Sequence, residues 1–383
     1  MSADGLLNFD FYQNSLTIAI VFIECFLILI FCAHKKSDVK VITFLYIWHT
    51  LFSTVYFLYT LNNPADAKGY YFRSLSIDKF EFNLGTKFVT YVTHLFSQGL
   101  DANYLNVTLI FNFFGSIGLI LLYLSMKNLF LKINKYWFFM LLIPSMSFWS
   151  AGLGKDSIAF FCVCLFLYAV SSNKKHNILM SFSFFLMFMI RPHIAFIILA
   201  SYSVYFIIRA KIHIVFKLVS LPAIFLGIIF SLRIVQEYVG IEDVSLDNVG
   251  DYVDQRQGYN QGGGSSLDIA SMSYPMKMFT YIFRPLPFEA RSAVALITSL
   301  ENTILLLLFV YILLKSRFNF RPFIENKNLW LLTYVFLTCT ILAITTANLG
   351  IATRQKWMFM PVLLYLLIYS FHNYKLNKSR IYQ

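Results

Sequence analysis

An apolar run from Tyr136 to Val170 is broken in its middle, at Ile143–Ser157, by Pro144, Gly152, Gly154 and the adjacent charges of Lys155 and Asp156. A helix needs roughly 20 apolar residues to cross a hydrocarbon core, and neither arm of this run is that long. The arms are therefore expected to be half-helices or strongly tilted ones. Freed backbone groups cannot face lipid, so a break at membrane depth has to be buried in protein or line a wet cavity. Ile143–Ser157 is thus the expected floor of a polar cavity. The plainer alternative is a tight loop between two short helices, with Trp149 anchoring at the interface and Lys155 snorkelling.

The rest of the chain repeats the apolar pattern. With 58% hydrophobic residues and 13% charged residues, a water-soluble globule is excluded. Further apolar runs occupy Ser15–Ala33, Val41–Leu61, Leu105–Met126, Ile178–Ile190, Ile194–Ile208, Val215–Leu232, Ala293–Leu314, Trp330–Ala347 and Trp357–Phe371. The expected fold is an all-α polytopic integral membrane protein with about eleven transmembrane helices, counting the short or broken ones. It forms a single transmembrane domain over residues 1–383.

Alternate connections are basic, among them Lys35–Lys36–Lys40, Lys127–Lys132–Lys135, Lys174–Lys175, Lys315–Arg317–Arg321 and Lys375–Lys378–Arg380. By the positive-inside rule these are cytoplasmic, which puts the N-terminus outside and the C-terminus inside. The net charge of +12 is therefore a topology signal and no sign of nucleic-acid binding. Most acidic residues fall on the opposite set, which includes an extracytoplasmic loop at 233–292 with a Gly-rich stretch, Gln255–Ser266, expected to be a lid or a linker. The N-terminus lacks a basic signal-peptide region, so the first run is expected to be a retained span. All five cysteines lie in apolar segments, and neither a disulfide framework nor a metal site is expected.

The outer connections carry unusual charge at the membrane edge: Lys155 and Asp156, Arg191 before Pro192 and His193, Arg284 before Pro285, Glu289 and Arg291, then Arg354 and Lys356. Arginine suits phosphate because its planar fork donates two parallel hydrogen bonds and stays charged. Lys155, Arg191, His193, Arg284, Arg291 and Arg354 are accordingly the candidate phosphate or substrate contacts. The alternative for each taken singly is an anchor of a helix end to lipid phosphate. A base is also needed. Asp66, just after Pro64, is one candidate to take the proton of an attacking sugar hydroxyl, with Asp156 and Glu289 as rivals. Glu24 and Glu301 sit in apolar surroundings and read as interior polar contacts. There is no Walker loop, dinucleotide fingerprint, nucleophile elbow or zinc-helix motif, so no cofactor is expected.

Pro144-Ser-x-x-x-Trp-Ser-x-Gly-x-x-Lys-Asp156, Arg191-Pro192, Phe283-Arg-Pro-x-Pro-x-Glu-Ala290, Ser299-Leu-Glu-Asn302 and Asn348-x-Gly-x-x-x-Arg354 together resemble the Wzy-type O-antigen and capsule polymerases and related GT-C-like bacterial membrane glycosyltransferases. The resemblance implies polymerisation of undecaprenyl-diphosphate-linked repeat units into surface polysaccharide, at the outer face of the bacterial inner membrane. Asp66 resembles the acidic residue of the first outer loop in GT-C enzymes, although the paired acid and the large C-terminal domain of those enzymes are missing. The implied partners are a polyprenyl-diphosphate-linked oligosaccharide and the bilayer, with a chain-length regulator and a flippase as further candidates. A transferase of single sugars from a polyprenyl-phosphate donor, or a transporter of lipid-linked glycan, are the alternative readings.

Overall fold

The computed structural model describes residues 9–33, 35–77, 83–172, 176–209, 213, 215, 267–269, 271–290 and 292–381. All its elements are helices. The chain divides into two compact units, one of Met1–Lys127 with Tyr136–Arg191 and one of Asn128–Lys135 with Pro192–Gln383.

The first unit contains α1 (Phe11–Cys32), α2 (Lys36–Asn62), α3 (Asp66–Ser74), α4 (Thr86–Ser97), most of α5 (Tyr104–Ile133), α6 (Pro144–Ser150), α7 (Lys155–Ser171) and α8 (Asn177–Ile190). Asp10 caps α1 by accepting from the Gln13 amide at 2.8 Å, which satisfies one of the four donors a helix start leaves open. The most apolar window of α1 is 22% buried, whereas that of α5 is 72% buried. Phe22, Phe26 and Phe31 of α1 point outward, as suits a lipid-facing helix, while α5 forms the middle of its unit. Lipid tails are as apolar as leucine, so helices in a membrane gain by close packing and by polar contacts. Gly115 and Gly118 on α5 supply the closeness. A Cβ on Gly115 would stand 2.1 Å from the Ser150 carbonyl oxygen, and one on Gly118 would stand 2.8 Å from the Phe160 ring. A helix apolar on every face is buried, and α7 is such a helix, with Ile158–Leu167 buried without interruption.

The second unit contains α9 (Pro192–Arg209), α10 (Tyr274–Phe283), α11 (Ala293–Lys315), α12 (Arg321–Ile324), α13 (Asn328–Thr345), α14 (Leu349–Gln355) and α15 (Met360–Ile381). α13 packs on α9, α10, α12 and α15. Trp330 ties it to α9, its ring centroid 4.7 Å from that of Tyr202 and its indole N–H donating to Ser201 Oγ at 3.1 Å. Farther along, the Tyr334 hydroxyl donates to the Met358 carbonyl at 2.6 Å, which pins the corner before α15.

Among the described residues six helices, α1, α2, α5, α9, α11 and α13, are long and apolar enough to cross a membrane, and the bent pair α6–α7 makes a seventh if taken as one span. The expected total of about eleven passes meets these as follows. α8, at 14 residues, is too short to cross on its own terms, Trp357–Phe371 becomes the start of α15, and Val215–Leu232 lies outside the described residues. The break at Ile143–Ser157 is present, with α6 and α7 meeting at 115°. Its first arm differs from expectation: Lys135–Leu142 is a 3₁₀ segment and α6 has only seven residues. Pro144 accounts for this, because it has no N–H to continue a helix and is favoured at a first turn.

The connection Asn62–Asp101 also holds more structure than its composition suggests. Its helices α3 and α4 pack on each other, burying Tyr70, Tyr71 and Ser74 against Val89, Thr93 and Ser97. The Ser74 and Ser97 hydroxyls bond each other at 2.8 Å, and His94 Nδ1 meets the Ser74 carbonyl at 2.8 Å.

Candidate functional site

In the first unit the broken helix is built from α2 outward. Trp48, His49, Ser53 and Tyr56 recur at helical spacing and so share one face of α2. Trp48 Nε1 donates to Ser147 Oγ at 3.1 Å. His49, fully buried, joins Asn112 Oδ1 at 2.6 Å to Ser150 Oγ at 2.9 Å, and the Ser116 hydroxyl adds a contact to Nδ1 at 3.2 Å. Ser53 Oγ donates to the Ala151 carbonyl at 3.1 Å, and the Tyr56 ring covers Phe148, Trp149 and Gly152. The Ala151 carbonyl at the end of α6 is thus met by Ser53 of α2, as a break in lipid demands, and the Ser147 and Ser150 hydroxyls of α6 are held by Trp48 and His49, also of α2.

Gly154 then turns the chain into α7 with φ 154 and ψ −169, a region that essentially only glycine adopts. Lys155 and Asp156 are the first two residues of α7, where the helix dipole presents partial positive charge. Arg191, at the end of α8, reaches Asp156 with Nη2 at 2.5 Å from Oδ1. The Arg191 side chain is 9% exposed, and its Nε is buried with no hydrogen-bond partner among the described residues. An unsatisfied buried donor costs about 1–3 kcal/mol. A guanidinium with one N–H donor left without an acceptor, beside a helix N-terminus, is an arrangement in which an anion would be stabilised. Asp66 stands exposed as the first residue of α3, and Tyr70 of the same helix lies over Gly154, 3.5 Å from where a Cβ would be.

The second unit has its own polar cluster. Arg284 follows α10 and grips Glu289 side-on, with Nε 2.8 Å from Oε1 and 3.1 Å from Oε2 and Nη2 also donating to Oε1. The Leu286 amide donates to Glu289 Oε2 at 2.7 Å, so the carboxylate closes the turn Arg284–Glu289 on itself. Burial alone would raise the Glu289 carboxyl, but the Arg284 guanidinium and the Leu286 amide outweigh it and hold the group below its ordinary value. From α11, Asn302 Nδ2 donates to the Pro285 carbonyl at 3.2 Å, and Lys356 Nζ donates to Asn302 Oδ1. Lys356 is 1% exposed and lies 5.4 Å from the centroid of the Trp357 ring. Burial draws its ammonium down to about 8, with Glu301 pulling the other way.

Sequence reasoning placed Arg191 beside Asp156 in neither helix nor partner, and the two prove to be an ion pair within one unit. Arg284 and Glu289 are likewise partners. Arg354 sits half-exposed in the last turn of α14, and His193 is the second residue of α9, half-buried. Arg291 and the Gly-rich stretch Gln255–Ser266 lie outside the described residues. The sequence reading assigned no role to His49 or Asn112, and it noted Lys356 among the outer charges and Asn302 within a motif without pairing the two. Mid-span polarity was the available signal for the first two. For Lys356 it was the nearby Trp357, which marks the end of an apolar run. Among the described residues no group of three or more His, Cys, Asp or Glu side chains gathers as metal ligands would.

No curated protein and no solved structure matches this chain. Residues 69–382 match the EpsG family, and the chain belongs to that family of polysaccharide-polymerase-type membrane proteins.

Proposed function

We propose that this protein joins polyprenyl-diphosphate-linked oligosaccharide repeats into a surface polysaccharide at the outer face of a bacterial inner membrane. In each cycle a sugar hydroxyl of one lipid-linked chain attacks the anomeric carbon of another. The bond from that carbon to the diphosphate oxygen breaks, its electron pair leaves with the lipid diphosphate, and the hydroxyl proton passes to a base. Negative charge develops on the leaving diphosphate, and fixed positive charge placed there is usually the largest catalytic contribution. Each unit taken by itself, we assign Arg191 and Lys155 as phosphate contacts in the first, and Arg284 and Arg354 in the second, with His193 and Arg291 as further contacts there.

The observation that carries the reading is the buried Arg191, whose Nε has no partner among the described residues and which lies beside the N-terminus of α7. The ion pairs bear on the choice of base. Asp156 is engaged by Arg191 and Glu289 by Arg284. A carboxylate stabilised by a guanidinium is a weaker base, which suits Asp156 and Glu289 to orienting the arginines, and Asp66, exposed at the start of α3, is assigned the proton removal.

The test is the surface glycan of a strain carrying Arg191→Ala, Arg191→Lys or Asp66→Asn at equal protein level. A polymerase defect leaves single repeats on the surface where the wild type shows a ladder. Unpolymerised units retained inside the cell would indicate a transporter, and a truncated repeat would indicate a single-sugar transferase; either outcome refutes the proposal.

A further inference from the structure

Lys356 is the largest departure from economy in the second unit. Removing an ammonium from water costs several kcal/mol even after the protein relaxes around it, and a methionine of similar length would fill the same space without that cost. Its contacts explain what the charge does there. Lys356 Nζ donates to Asn302 Oδ1, and Asn302, itself fully buried, spends its amide N–H on the Pro285 carbonyl at 3.2 Å. Pro285 follows Arg284 directly, and Arg284 holds Glu289, which holds the Leu286 amide. A single polar line therefore runs from the corner before α15, across α11, to the turn that presents Arg284.

We infer that Lys356 is a positioning residue for Arg284: by fixing the amide of Asn302 it anchors the Pro285 carbonyl, and with it the direction in which the Arg284 guanidinium is presented. The functional part of this inference rests on the assignment of Arg284 as a phosphate contact. Glu301, next to Asn302 on α11, supplies an opposite charge that favours the protonated ammonium against the larger effect of burial. That protonation matters because the ammonium brings only donors, so Asn302 must present its oxygen to Lys356 and turn its N–H₂ toward Pro285. A neutral apolar residue at 356 would leave that amide held on one side only, by the Pro285 carbonyl.

The test is the rate at which phenylglyoxal, an arginine reagent, labels Arg284 in the purified full-length protein. Labelling is read by mass spectrometry and normalised to exposed Arg321 in the same sample. Lys356→Met removes the anchor. Asn302→Asp is close to isosteric, keeps an oxygen for Lys356, deletes the donor to Pro285 and adds a charge that the Lys356 ammonium faces, so it carries the test if Lys356→Met fails to fold. Both variants are expected to raise Arg284 labelling severalfold, and the double variant is expected to rise no further, because the two residues act in one line. Wild-type labelling in Asn302→Asp, or a double variant whose increase is the product of the two single ones, overturns the inference. Surface polymer is measured in parallel. Raised labelling with wild-type polymer would leave the anchor standing and refute the role of Arg284 in the reaction. Lost polymer with unchanged labelling would refute the anchor.

Discussion

Gly115 offers a sharp perturbation of the broken helix, because what its missing side chain makes room for is backbone. An alanine Cβ there would lie 2.1 Å from the Ser150 oxygen, 2.9 Å from the Ser150 carbonyl carbon and 2.5 Å from His49 Cε1. Forcing a methyl into a packed site costs about 1–3 kcal/mol. The upper end applies, since the Ser150 hydroxyl is held by His49 and the next carbonyl, that of Ala151, by Ser53, which resists a shift of the backbone between them. Against this, alanine in a helix interior gains about 1 kcal/mol over glycine. The expected net loss for Gly115→Ala is about 2 kcal/mol, or about 4–8 °C at the few degrees per kcal/mol typical of a domain this size.

Gly152 supplies the control. Its nearest obstacles are all atoms of the Tyr56 ring, at 2.4, 2.5 and 2.7 Å. Gly152→Ala should therefore be destabilising alone and largely rescued by Tyr56→Ala, with a coupling of about 1–3 kcal/mol between the two, whereas no side-chain truncation rescues Gly115→Ala. The assay is the fraction of detergent-solubilised protein that stays monodisperse after heating. A Gly115→Ala midpoint equal to wild type, or strictly additive losses for Gly152→Ala with Tyr56→Ala, would refute the packing described for the break.

Gly154→Ala should cost about 1–3 kcal/mol through backbone strain alone, and Tyr70→Ala should not relieve it, since the ring is at ordinary contact distance. The Glu289 carboxyl is held low in the folded protein, so as pH falls the unfolded chain binds its proton first. The stabilisation from the Arg284 pair is complete above the unfolded value near pH 4.3 and disappears as pH drops through the folded one. Glu289→Gln should flatten that acid-side loss in a pH series of the same heating assay. Arg284→Lys keeps a charge but not the fork, so polymer yield should fall strongly with membrane insertion intact, and wild-type yield from both Arg284→Lys and Arg284→Ala would reduce Arg284 to a lipid anchor. Asp156→Asn should loosen Arg191 and lower polymer yield by less than Arg191→Ala, as read from the same glycan ladders.

The features of this chain that rest on local sequence were legible in it, and those that rest on distant partners were not. The break at Ile143–Ser157 could be read because proline, two glycines and a charge pair interrupt one apolar run, a signal contained in fifteen consecutive positions. The Arg284–Glu289 pair lies within six residues and was seen as a cluster, though not as a pair. Helices α3 and α4 escaped notice because their buried faces use Ser74, Thr93 and Ser97, which a hydropathy reading assigns to loops. His49 escaped for another reason. Its partners Asn112 and Ser150 stand 63 and 101 residues away, so within α2 it reads as one tolerated polar residue in a span. The same holds for Lys356, 54 residues from Asn302. In water such a residue would be unremarkable, since solvent satisfies it wherever it falls. Inside a membrane protein it has to find a partner on another helix. A polar side chain in an apolar run therefore points to a contact elsewhere, and the mid-span His49, Asn112 and Ser116, taken together, carried the information that α2 and α5 meet something polar. What they meet is the end of α6, which places the turn bearing Gly154, Lys155 and Asp156 under the control of residues in two other helices.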